Sequence, residues 1–109
     1  MKPIQLTLIP HLTDSGQAYQ HLQIVLQVQD GVISPEDIKG LELPDGIQWS
    51  RGVVLEGRAP IWLYGYLIHL CHAAAWVGCY DPRLSGAVVV QTHTRGVSVG
   101  LVIPLRLPD

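Results

Sequence analysis

Charge is scarce in this chain. Only 15% of its 109 residues are Asp, Glu, Lys or Arg, against 48% hydrophobic residues. That ratio excludes an intrinsically disordered segment, which combines low hydrophobicity with high charge. A basic excess is missing as well. Seven Lys and Arg stand against nine Asp and Glu, for a formal charge of −2. A general cationic grip on nucleic acid is therefore excluded, although a local basic site is not. Cysteine is limited to Cys71 and Cys79. Two are too few for a disulfide framework and fit a reducing, cytoplasmic setting. No apolar run is long enough for a bilayer. The longest, residues 61–75, is interrupted by Tyr64, Gly65, Tyr66, His69 and His72, too short and too polar to span. No cationic leader with a hydrophobic stretch opens the chain, so secretion is not expected.

What is present points to one domain over residues 1–109, without repeat, linker or low-complexity block. So many apolar residues with so few charges must leave apolar surface exposed, and self-association or partners are expected. Ile4, Leu6 and Leu8 alternate with polar neighbours and read as a first strand, with a loop over residues 10–16. Leu22, Ile24, Leu26 and Val28 read as a second. Ser34-Pro35-Glu36-Asp37 is a helix start with a capping serine, proline at the first position and acids in the first turn. Gly40 and Pro44 keep that helix short.

Residues 52–55 form a wholly apolar strand. Pro60 then opens a main helix predicted to reach about Ala74, apolar nearly all round and so expected to be buried on most sides. Strands follow over residues 76–80, 87–92 and 97–107. Pro104 places the last at an edge or a bulge. The pattern predicts a mixed α/β (α+β) fold: a mixed sheet with one main helix and one short helix packed on it.

Four constellations could carry chemistry. Gly57-Arg58-Ala59-Pro60 joins a buried strand to a helix start, where open α/β sheets bind ligands and where Arg58 adds a bidentate donor for phosphate. A plain tight turn with a surface arginine is the alternative. His69 and His72, three residues apart on a helix, share one face with Trp62, Gly65 and Tyr66. Two ligands do not make a metal site, and structural histidines fit equally. Asp81-Pro82-Arg83-Leu84 follows a strand end, where Asp81 suits a catalytic carboxylate and Arg83 can pair with it or clamp a phosphate. A backbone-bonded turn is the rival. His93 shares a strand face with Ala87, Val89 and Gln91 if that strand stays regular. Taken together, His69, His72, Asp81, Arg83 and His93 lie in neighbouring elements and suit Mn²⁺, Zn²⁺ or Fe²⁺ facing a phosphodiester. His11, in the loop after the first strand, can reach a ligand at the same sheet end. Both His11 and His21 read as surface residues.

The motifs Gly57-Arg58-Ala59-Pro60-Ile61-Trp62-Leu63, Asp81-Pro82-Arg83-Leu84 and Ala87-Val88-Val89-Val90-Gln91-Thr92-His93, with His69 and His72 between, occur in this order. Together they resemble the manganese-dependent ring-nuclease family of type III CRISPR systems, also described as an RNA deadenylating exonuclease. The likeness is dense over residues 52–93 and looser over 34–44. It implies a reduced relative of the CRISPR-associated Rossmann fold, dimeric, that cleaves cyclic tetra-adenylate and so ends the antiviral signal. Two dimers would sandwich the ligand, giving a tetramer or filament, with no membrane or DNA partner. By resemblance, Gly57, Arg58 and Pro60 recognise the ligand, and His72 and Asp81 are catalytic. Arg83 and His93 are accessory active-site residues. Mn²⁺ is held by His72 with Asp81, His69 or His93. Ser85 lengthens the turn by one residue relative to the family pattern. No GxxxxGK[ST] occurs, so a stand-alone form or one domain of a fusion is expected. Two rival activities remain: a Mn-dependent 3′ exonuclease on short adenylate RNA, and a non-catalytic sensor of cyclic oligoadenylate.

Overall fold

A computed structural model describes residues 2–12 and 18–106. Its strands are β1 (Ile4–Leu12), β2 (Ala18–Leu26), β3 (Gly52–Glu56), β4 (Trp76–Asp81), β5 (Gly86–Thr92) and β6 (Val102–Pro104). They form one sheet in sequence order. The central pairs β2–β3 and β3–β4 are parallel, and the flanking pairs are antiparallel. The one α-helix among the described residues, α1 (Ile61–Leu70), is the crossover between β3 and β4. A short 3₁₀ helix (Pro35–Ile38) lies in the crossover from β2 to β3. The expected mixed sheet with one main and one short helix is therefore the fold.

Each face of the sheet carries its own core. Leu22, Ile24, Val53, Leu55 and Val77 pack under Leu63 and Leu67 of α1. Tyr19, Val54, Trp76, Ala87 and Val89 pack with Ile103 and Leu105 on the opposite face. Strand alternation separates the two sets. Gly52 is required by this second core: a Cβ there would lie 1.9 Å from the Trp76 ring. The 3₁₀ helix starts as its sequence foretells. The Ser34 side chain accepts from the Glu36 N–H, and the Asp37 carboxylate accepts from the Ser34 N–H at 2.7 Å.

Several expectations are corrected. Pro10, His11 and Leu12 belong to β1 rather than to a loop. β1 is an edge strand, where proline's missing N–H costs little. The rest of the expected loop, residues 13–16, lies outside the described residues. β2 begins at Ala18, not Leu22, because Gln20 can be buried there. Its amide donates to the Gln48 carbonyl at 2.9 Å and accepts from the Gln48 N–H at 2.6 Å. α1 stops at Leu70, four residues short of Ala74. The chain must turn back to the sheet, where the Ala75 N–H bonds the Arg51 carbonyl.

The helix is also less covered than its composition suggests. Only Leu63 and Leu67 are buried, and Ile61 is 86% exposed. The sheet covers one side of α1, and no second layer among the described residues covers the other. Of the expected last strand over residues 97–107, Val102–Pro104 form the strand, because residues 94–101 turn twice through Val97 N–H to Thr94 O and Leu101 N–H to Ser98 O bonds, and Leu107 lies outside the described residues. Pro104 does lie on an edge strand.

Candidate functional site

The carboxyl ends of β3 and β4 lie side by side, next to the start of α1. β3 ends at Glu56, and Gly57 turns the chain at φ +146°. A Cβ at Gly57 would lie 2.3 Å from the Ile24 carbonyl oxygen, so this close approach excludes any side chain. The Tyr64 hydroxyl donates to the Gly57 carbonyl at 2.7 Å and fixes the turn from the helix side. Burial, reinforced by Cys79 and Glu56, pushes the Tyr64 phenol up to about 12, so it stays a donor. Arg58 is exposed and has no hydrogen bond or ion pair among the described residues. Pro60 caps α1 in extended conformation without a side-chain cap bond.

At the end of β4 the two readings of the Asp81 turn are both correct. The Arg83 N–H donates to Asp81 Oδ1 at 2.9 Å, which is the backbone turn. The guanidinium also pairs with the carboxylate, Nε to Oδ1 at 3.3 Å and Nη2 to Oδ2 at 3.1 Å. Arg83 hydrogen bonds hold the Asp81 carboxyl below the usual carboxylate range. The Arg83 side chain is 88% exposed, so the pair faces solvent. Ser85 takes the extra position of this turn at φ +49°. A cleft of about 680 Å³ runs between α1 and this turn, lined by Ile61, Tyr64, Gly65, Ile68, Asp81 and Arg83. A cavity of similar volume, about 690 Å³, lies far from these groups, between β1 and the 3₁₀ helix.

The histidines gather elsewhere, around the turn between α1 and β4. The His69 and His72 rings stack with centroids 6.1 Å apart. His72 Nδ1 lies 3.2 Å from the His69 carbonyl. The His72 carbonyl in turn receives Gln91 Nε2 at 2.7 Å and His93 Nε2 at 2.8 Å. A bulge makes this possible. Val77 pairs with Gln91 but Gly78 pairs with Val89, so Val90 has no partner across the ladder. Gln91 thereby leaves the face of Ala87 and Val89, which corrects the expectation that these residues share one face.

His69, His72 and His93 thus stand at the start of β4, and Asp81 and Arg83 at its end. The strand from Trp76 to Asp81 separates them by about 16 Å. One chain does not make them neighbours. Among the described residues no three His, Cys, Asp or Glu form a group that could hold a metal ion.

His11 and His21 are not plain surface residues. His21 is fully buried, with Nε2 2.7 Å from Glu56 Oε1. His11 is half-buried and stacks on Tyr19 with centroids 5.5 Å apart. It pairs with Tyr19 in the ladder, at the level of the start of β3 rather than of Gly57. Sequence reasoning missed Glu56 and Tyr64 as site-shaping residues. Tyr64 follows Gly57 by seven residues and carries no separate signal. No helix of the described residues is long and apolar enough to cross a membrane.

Comparison with known proteins adds two findings. The sequence model of the family described as CRISPR-associated protein (Cas_csx3) matches residues 26–104. An uncharacterized protein of Aquifex aeolicus (strain VF5) is 49% identical over 72 residues, which cover 63% of this chain and 65% of that protein. The chain therefore spans somewhat less than two thirds of that relative's length.

Proposed function

The chain belongs to the CRISPR-associated Cas_csx3 family, and from that premise we propose that it is a ring nuclease that opens cyclic tetra-adenylate and so ends type III CRISPR signalling. The observation that carries this reading is the division of the polar groups. An exposed Asp81–Arg83 pair stands at one end of β4, and a histidine cluster at the other. Such a layout suits a site completed between copies of the chain, stacked so that one end faces the other across the ligand. The exposed apolar side of α1, with Ile61 and Trp62, supports dimer formation.

Among the described residues, His69, His72, His93 and Asp81 of one chain do not gather into a metal-holding group. Mn²⁺ would be held in the assembly by His69 or His93 of one copy with Asp81 of another, and would offset charge on the scissile phosphate. The steps below use side chains alone. Arg58, free of internal partners, and the Gly57 turn receive the phosphates of the ring. Arg83, oriented by Asp81, stabilises charge that develops on the scissile phosphate. His72, with Nδ1–H donated to the His69 carbonyl, presents Nε2 as the base. It takes the proton of the attacking oxygen, which belongs to water or to the adjacent ribose 2′-OH; as that oxygen bonds to phosphorus, the opposite P–O ester bond breaks and the departing ribose oxygen takes a proton from solvent. A 2′,3′-cyclic phosphate end identifies the ribose route.

The test offers cyclic and linear tetra-adenylate at equal concentration, with and without Mn²⁺. The proposal expects faster loss of the ring, and only with metal. Faster trimming of the linear chain makes the protein a 3′ exonuclease instead. Tight binding without turnover under every condition makes it a sensor.

A further inference from the structure

The buried face opposite α1 holds a polar cluster that the reading above does not use. His11 and His21 are diagonal neighbours on the β1–β2 hairpin, where Ile9 pairs with His21 and His11 with Tyr19. Their ring centroids are 5.5 Å apart, with planes tilted by 37°. Two atoms of this pair, His11 Nε2 and His21 Nδ1, are buried without a hydrogen-bond partner. Buried polar atoms in native folds are nearly always satisfied, and an orphan calls for a bound water or ion. His69 and His72 differ in this respect, because both are exposed to solvent.

Glu56 decides what the orphan on His21 can be. With Nε2–H donated to the Glu56 carboxylate, the neutral ring of His21 carries its lone pair on Nδ1. A carboxylate bonded to the outer nitrogen of a histidine is the usual support of a metal ligand: it sets the tautomer and raises ligand basicity. The ring spacing agrees. An ion about 2.1 Å from each nitrogen, at a tetrahedral angle, places two imidazole centroids roughly 5 Å apart.

We propose that His11 Nε2 and His21 Nδ1 bind a divalent transition-metal ion, with Glu56 as the outer carboxylate. Among the described residues no third side chain completes a metal-holding group with them, so the ion has two protein ligands. It binds more weakly than at a closed four-ligand zinc site. Its place gives it a role. Glu56 immediately precedes the Gly57–Arg58 turn, so the ion braces the β1–β2 hairpin against the strand that carries that turn. Both histidines lie outside residues 26–104, whereas Glu56 lies inside them, so the family match does not cover the ligand pair.

The probe is Zn²⁺, titrated calorimetrically into the full chain and into a His72→Ala chain, each with and without His11→Phe. Phenylalanine preserves the stacking on Tyr19 and removes the nitrogen. Loss of one zinc equivalent per chain on His11→Phe is expected in both backgrounds. Glu56→Gln should weaken that equivalent about 10- to 100-fold without abolishing it. Unchanged stoichiometry in His11→Phe, or no zinc uptake by the wild type, overturns the proposal. Histidine ring NMR of the wild-type chain serves if a variant does not fold: Zn²⁺ must shift the His11 and His21 signals, and unmoved signals overturn the site. Because the His72→Ala background removes the proposed catalytic histidine, a failed ring-nuclease reading and a failed zinc site give different results.

Discussion

His93 Nε2 lies 2.8 Å from the carbonyl oxygen of His72, twenty-one residues earlier in the chain. Together with Gln91 Nε2 on the same oxygen at 2.7 Å, it ties the turn after α1 to β5. Both donors act on the backbone that carries the His72 ring.

This tie predicts a graded response at two positions. Gln91→Ala removes one of two donors and should slow ring opening about threefold to tenfold, or up to ~1.4 kcal/mol of barrier. His93→Ala should cost more, because it also removes an exposed imidazole beside His72. His93→Gln restores a donor and should recover part of the loss. Single-turnover rates with the cyclic substrate check the series; equal rates for Ala and Gln at position 93 would contradict the positioning role.

Tyr64→Phe removes the hydroxyl that holds the Gly57 carbonyl and little else. Urea unfolding should show a loss of about 0.5–1.5 kcal/mol. Affinity for the adenylate ligand should fall with it, since the same turn carries Arg58. A variant with wild-type affinity would separate the turn from ligand recognition.

Gly52→Ala places a methyl within the Trp76 ring, 1.9 Å from its nearest atom. Trp76 is fully buried in the second core and cannot move aside. Overpacking of this kind costs about 1–3 kcal/mol or more. The unfolding midpoint in urea measures it, and a midpoint equal to wild type would refute the packing of this face.

Asp81 and His11 respond to pH in defined directions. Asp81 is held below its ordinary value of 3.8 by Arg83. Its contribution is present above the unfolded value and disappears as pH falls through the lower folded one. A carboxyl NMR titration should therefore show its midpoint below 3.8 and move upward in Arg83→Ala. The His11 pKa is lowered from 6.5 by burial and by His21. The unfolded chain takes up that proton first, so its contribution is complete above 6.5 and declines as pH falls below it. His11→Phe should flatten the stability profile in that window.

Much of the architecture was legible from local pattern. The apolar strand at residues 52–55, the capped turn at Ser34 and the edge position of Pro104 each follow from residues close in sequence. What was not legible depends on distant partners. His21 reads as polar and exposed until Glu56, thirty-five residues on, supplies its bond. The bulge at Val90 has no local mark in a run of valines, yet it moves Gln91 to the other face. The apolar character of α1 suggested burial on most sides, because composition does not say whether the covering surface belongs to the same chain. The site residues were named as one set, but β4 holds its two halves apart. Strand length, rather than residue type, decides that separation.

Complementation between inactive variants tests the shared site most directly. His72→Ala and Asp81→Ala chains are each assayed alone with cyclic tetra-adenylate and Mn²⁺, then mixed in equal amounts. If one copy supplies the histidine and another the aspartate, the mixture regains a measurable fraction of the wild-type rate while each variant alone stays inactive. A mixture that remains inactive, although both variants still bind the ring, would contradict a site assembled between copies.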